Sequence, residues 1–180
     1  MDFLFLGLGN PPEYHGTRHN IGKDLVEGLA CKDGCKWHYV AKGRVASLLL
    51  GPHHITCMVS DGFMNETGQD MREALLEIEP KRLVVVHDEI ALPVGSIRLA
   101  YNKSPGGHNG VASVAEVLHT NAFFRLRIGV GKDGKDLKKY VLEKIPPHAM
   151  DTIVSTVHKT LPGILLNQLP AHEALRKEVS

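Results

Sequence analysis

The run Leu83-Val84-Val85-Val86 most restricts how this chain can fold. Four consecutive apolar residues, three of them β-branched, have no polar face to turn to water. They make a strand only where both sides of the sheet are covered. A second such run occupies residues 3–8. Other segments carry helical spacing. Ile21, Leu25, Val26 and Leu29 share one face over 21–30, and Met71, Leu75 and Ile78 align over 65–78 up to Pro80. Further strands are expected at 45–50, 55–59, 97–100 and 124–130, and a helix at 109–119. The last third reads as helical, with Met150, Ile153, Val154, Val157, Leu161 and Ile164 at three-to-four spacing. Pro162 falls inside that pattern and is expected to kink or break it. Strands separated by helices predict an α/β fold. Ligands in such folds bind at loops beyond the C-terminal ends of strands.

At 180 residues the chain is read as one domain spanning 1–180, long enough for a full core. Its formal charge of +1 does not announce a nucleic-acid binder, so any RNA contact must come from a local basic patch. Cys31, Cys35 and Cys57 are odd in number and lack zinc or redox spacing, which fits reduced thiols. The start has no basic leader, and its apolar run breaks at Gly7, so a cytoplasmic protein is expected.

Four loops carry the chemistry. Gly9-Asn10-Pro11-Pro12-Glu13-Tyr14 follows the first strand and leads to Thr17-Arg18-His19-Asn20. His87-Asp88-Glu89 follows the second apolar run. Met64-Asn65-Glu66-Thr67-Gly68 and Gly106-Gly107-His108-Asn109-Gly110 add neutral amides. An imidazole held by a carboxylate is a common device for moving protons near neutral pH. The loops thus offer a base, an orienter and several amides without an obvious nucleophilic side chain, which suggests hydrolysis by water. Alone, His19 reads equally as one of eleven histidines with a structural role, and each asparagine as a turn residue. Tyr14 and Met64 read as core or as cleft lining. Gly7 and Gly9 lack the third glycine of a dinucleotide fingerprint, and no Walker motif occurs, which argues against a nucleotide-processing enzyme.

Gly7-Leu8-Gly9-Asn10-Pro11, Thr17-Arg18-His19-Asn20-Ile21-Gly22, Met64-Asn65, His87-Asp88-Glu89 and Gly106-Gly107-His108-Asn109-Gly110 resemble, in order and spacing, the signatures of bacterial peptidyl-tRNA hydrolase. The likeness runs from the N-terminus into Arg125-Leu126-Arg127-Ile128-Gly129. It implies a single-domain mixed β-sheet sandwiched between helices, and a cofactor-free, metal-free esterase acting as a monomer on peptidyl-tRNA. It implies His19 as catalytic base and Asp88 as its partner. It assigns Asn10 and Asn65 to the peptide and 3′ end, Asn109 to substrate and attacking water, and Tyr14 and Met64 to the cleft.

The resemblance also implies a basic cluster for tRNA phosphate. Arg98 and Arg127 match it, Ala100 stands where a lysine is often found, and Lys103 in the altered stretch 102–105 is the expected substitute. A solvated charged face is the plainer reading of those cations. The alternative for the whole chain is a non-catalytic RNA-binding module on the same fold, which the pairing of His19 with Asp88 argues against.

Overall fold

The structure, a computed structural model, describes residues 2–169 apart from 33, 41, 133 and 135. One mixed sheet of seven strands runs through it in the order β2-β3-β4-β1-β5-β7-β6. These are β1 (Asp2–Gly7), β2 (His38–Val40), β3 (Gly43–Leu50), β4 (His53–Ser60), β5 (Leu83–Glu89), β6 (Ile97–Tyr101) and β7 (Phe124–Gly129). The four central strands β4, β1, β5 and β7 are parallel, and the outer ones pair antiparallel. The apolar runs at 3–8 and 83–86 are therefore adjacent central strands, as their composition requires.

Helices cover both faces. On one side α1 (Ile21–Lys32) and α6 (Pro147–Gly163) pack over Phe3, Phe5, Val84, Val86, Leu126 and Ile128. On the other, α2 (Thr67–Asp70), α3 (Arg72–Glu77) and α4 (Asn109–Leu118) cover Leu4, Leu6, Leu83 and Val85. Alternate residues of β1 and β5 thus feed two separate cores, each buried side chain contributing about 1.5–3 kcal/mol. A short helix, α5 (Leu137–Leu142), precedes α6.

The structure departs from the sequence reading at four points. His87-Asp88-Glu89, expected as a loop, is the end of β5 itself, because its ladder with β7 runs on to the pair Glu89–Gly129. The helix expected over 65–78 is a 3-10 turn (Met64–Glu66) followed by α2 and α3, with Met71 out of helical geometry between them. Tertiary bonds break it: Gly68 lies against Ser113, where an added Cβ would stand 2.1 Å from the carbonyl oxygen, and Ser60 Oγ donates to Asp70 at 2.8 Å. Pro162 does not break the last helix. It sits inside α6, and the backbone then widens to a π-helical segment over Ile164–Gln168. Strand β2 went unforeseen because its three residues are an edge without buried side chains.

Candidate active site

The site lies where β1 and β5 end side by side. Leu8 donates its backbone N–H to Val86 at 3.0 Å, and Lys23 donates its own to Leu8 at 2.9 Å. Gly22 permits this approach: a Cβ there would stand 2.1 Å from the Val86 carbonyl oxygen. The N-terminus of α1 is thereby laid on the end of β5. The 3-10 turn Arg18–Asn20 just before it brings His19 to Asp88. Arg18 secures the turn from the far side. Its guanidinium donates to the carbonyls of Tyr140 and Glu143 at 3.2 and 3.3 Å and stacks 3.9 Å from the Tyr140 ring centre.

Asp88 is buried and its Oδ1 accepts two hydrogen bonds. One comes from His19 Nδ1 at 2.8 Å and one from His108 Nε2 at 2.9 Å. A carboxylate only accepts, so both nitrogens carry protons. His19 is left with Nε2 as a lone-pair acceptor. His108 spends its other nitrogen, Nδ1, as acceptor for the Val111 N–H at 3.3 Å, capping the start of α4. Burial alone would raise the Asp88 carboxyl, but the hydrogen bonds from His108 and His19 outweigh it and hold it well below the ordinary carboxylate range. His87 turns to the opposite face of the sheet. Its Nδ1 donates to the Asp88 carbonyl at 2.7 Å, and its ring meets His108 edge-on at 4.7 Å. Burial lowers its pKa to about 3, so it is neutral at physiological pH.

Asn10 is buried and held on every side. Its N–H donates to Asn20 Oδ1 at 2.9 Å, and its carbonyl accepts from Asn20 Nδ2 at 3.1 Å and Lys23 Nζ at 3.3 Å. Its own Oδ1 accepts the Met64 N–H at 3.1 Å, which leaves Nδ2 as the outward donor. Lys23 also donates to the Ser60 carbonyl at 2.7 Å, so the loops after β1 and β4 form one unit. Met64 is fully packed in the α4-side core, Tyr14 is half-buried, and Asn65 and Asn109 are exposed. Asn109 opens α4 one residue after His108.

The basic residues fall on the α4-side face of β6 and β7. Arg98 stands directly opposite Arg127, and Ala100 opposite Arg125. Arg98 and Lys103 are exposed. Arg127 is engaged, its guanidinium donating to Glu89 Oε2 at 2.8 and 3.0 Å. Arg125 is 6% exposed. Burial and the like charge of Arg127 lower its pKa, against the pull of the Glu89 carboxylate.

His108, Asn20, Lys23 and Arg125 are the site residues that sequence reading did not single out. Only His108 carried a legible signal, an N-cap position in a Gly-rich loop before a helix. Among the described residues, two groups of side chains have ligand atoms within 4.8 Å of one another: His19, Asp88 and His108, and His15, Asp24 and Glu27. Both spend those atoms on protein partners. In the second, Asp24 accepts from His15 and Gly16, and Glu27 from Arg44.

Fold and site together define an α/β protein with a buried aspartate bonded to two histidines at the C-terminal ends of parallel strands. The peptidyl-tRNA hydrolase family model matches residues 4–177. The peptidyl-tRNA hydrolase of Gloeobacter violaceus is 39% identical over 181 residues, covering 96% of this chain and 86% of its own. That of Acidithiobacillus ferrooxidans is 38% identical over 177 residues, covering 92% and 90%. The crystal structure of the Acinetobacter baumannii enzyme superposes with a TM-score of 0.83 at 31% identity, over 94% of this chain and 91% of that one. The chain belongs to the peptidyl-tRNA hydrolase family.

Proposed function

We propose that this chain hydrolyses the ester joining a peptide to the terminal ribose of tRNA, with His19 as general base and Asp88 as its orienter. The observation that carries the reading is the 2.8 Å bond between His19 Nδ1 and Asp88. It commits Nδ1 to donation and leaves Nε2 to take a proton, and the imidazole is 18% exposed, within reach of water. Water attacks the ester carbonyl as Nε2 removes its proton. The tetrahedral oxyanion then collapses and expels the ribose oxygen, which takes the proton back from the imidazolium. The products are a peptide acid and a reusable tRNA. Asp88 stabilises the imidazolium in between.

Asn10 Nδ2, Asn65 and Asn109 pair with the peptide backbone and the 3′ end, and Tyr14 and the backbone of Met64 shape the cleft. An aminoacyl-tRNA lacks the peptide bond these amides need, and each unpaired amide costs about 1–3 kcal/mol. Arg98, Lys103 and Arg127 hold tRNA phosphate, joined by Arg125, which stands opposite Ala100 on the same face. The reading includes a one-domain cytoplasmic monomer that needs no cofactor or metal. No described helix is long and apolar enough to cross a membrane.

Incubation with peptidyl-tRNA and aminoacyl-tRNA side by side tests the proposal. Cleavage of the first and sparing of the second is expected; equal cleavage of both, or of neither, overturns it.

A further inference from the structure

Asp88 offers a single oxygen to two imidazoles. Its Oδ1 lies 2.8 Å from His19 Nδ1 and 2.9 Å from His108 Nε2. The two rings therefore compete for the same negative charge. We propose that His108 is a positioning residue that sets the basicity of His19 by sharing this oxygen. The inference rests on His19 being the base.

His108 is built as a permanent neutral donor. Its Nδ1 accepts the Val111 N–H, so the ring has no site for a second proton without losing the cap. It also sits at the N-terminus of a ten-residue helix, where the aligned peptide dipoles disfavour a cation. Capping alone does not explain a histidine here. Asn, Asp or Ser caps a helix as well or better. The imidazole adds a second nitrogen at the far side of the ring, and that nitrogen reaches Asp88.

The consequence follows from charge. Protonated His19 is stabilised by the full charge of Asp88 when it is the sole donor. A second N–H on the same oxygen draws off part of that charge, so the imidazolium gains less. His19 then stays unprotonated to lower pH than in a lone His–Asp pair, and a base must be unprotonated to act. The other ionisable groups near the trio are committed elsewhere. His87 from β5 is neutral and edge-on to His108, and Glu89 from β5 is paired with Arg127 from β7. Arg18 from the 3-10 turn is turned to Glu143 and the carbonyls before α6. Lys23 from α1 is tied to Asn10, Ser60 and Asp61.

His108→Asn separates the two roles, since asparagine keeps the cap but is too short to replace the bond to Asp88. The pH dependence of kcat/KM and the His19 titration by NMR are measured in wild type and His108→Asn, with His19→Ala as control. The acid limb and the His19 midpoint should rise together, by about one pH unit. An unmoved or lowered midpoint in His108→Asn, with His19→Ala inactive, overturns the inference alone. An active His19→Ala overturns the assignment of the base instead. A measurement on wild type guards against misfolding of the variant. Its His108 ring nitrogens should keep one neutral tautomer throughout the His19 titration, and protonation of His108 in that range overturns the inference.

Discussion

Two charged regions share this side of the sheet, one around Asp88 at the end of β5 and one along β7, β6 and the loop after β6, and they are built on opposite terms. Around Asp88 the protein supplies its own partners: two imidazoles on one carboxylate oxygen, a backbone N–H on His108, and a backbone carbonyl on His87. On the β6–β7 face the balance is left open. Arg127 has Glu89, Arg98 and Lys103 face solvent, and Arg125 lies between the repulsion of Arg127 and the pull of Glu89. A buried carboxylate with two donors is a preorganised centre whose geometry does not wait for a ligand. A cluster of cations with one carboxylate, Glu89, among them favours an arriving anion. The first region suits chemistry on a fixed bond, and the second suits a partner that brings its own charge.

Substitutions in the first region should strike turnover, and the largest effect belongs to its base. His19→Ala should lower kcat by ~10²–10⁴-fold while the melting curve stays that of the folded protein. A near-wild-type rate would remove His19 from the chemistry.

Asp88→Asn should come next. The amide can hold the ring but cannot stabilise the imidazolium, so kcat should fall far more than KM rises. Asp88 also titrates below its ordinary range when folded. Its stabilisation is therefore complete above the unfolded pKa of 3.8 and lost as pH falls through the lower folded value. The gap in Tm between wild type and Asp88→Asn should narrow only below about pH 4. A collapse of affinity with kcat unchanged would place Asp88 among the binding residues.

The second region should respond in the opposite sense. Arg125→Met should raise KM for full-length peptidyl-tRNA, because it removes a cation from that face. Lys103→Ala should also raise KM and reduce the salt dependence of affinity by about one unit of log–log slope. Neither should change cleavage of a minimal substrate that lacks the acceptor stem. Equal losses on both substrates would erase the contrast between the regions and place these cations in support of Asn109.

The effect confined to stability concerns His87, buried in β5. Its folded pKa of about 3 lies below the ordinary 6.5, so the unfolded chain binds the extra proton between those values. Stability present above pH 6.5 should be lost toward pH 3, at up to ~1.4 kcal/mol per pH unit. His87→Asn should flatten that slope in urea titrations. An unchanged slope would show that other groups carry the acid sensitivity.

Much of this was legible in the chain. The runs at 3–8 and 83–86 determined two covered central strands, because an uninterrupted apolar segment has no stable alternative with one face in water. The helix faces at 21–30 and 109–119 followed from spacing, and the polar segments after the apolar runs marked His19, Asp88, Asn10, Asn65 and Asn109 as candidates, although Asp88 lies within β5 and not in a loop. Pro162 misled, because proline in the last turn costs a helix little when the backbone can widen beyond it. The helix at 65–78 misled because Ser60 and Ser113, distant in sequence, take hold of Asp70 and Gly68.

The residue types of the site were thus determined locally, but their partnerships were not. That Asp88 serves His108 as well as His19 depends on a join across 20 and 69 residues. That Lys23 is buried beneath Asn10, or that Arg125 faces Ala100, depends on register between separate strands and loops. A hydrogen bond or a bare charge is a property of two positions in space, and periodicity reports only one segment at a time. The sequence by itself determined which faces had to be buried and which groups could move a proton; only the tertiary structure decided which of those groups meet.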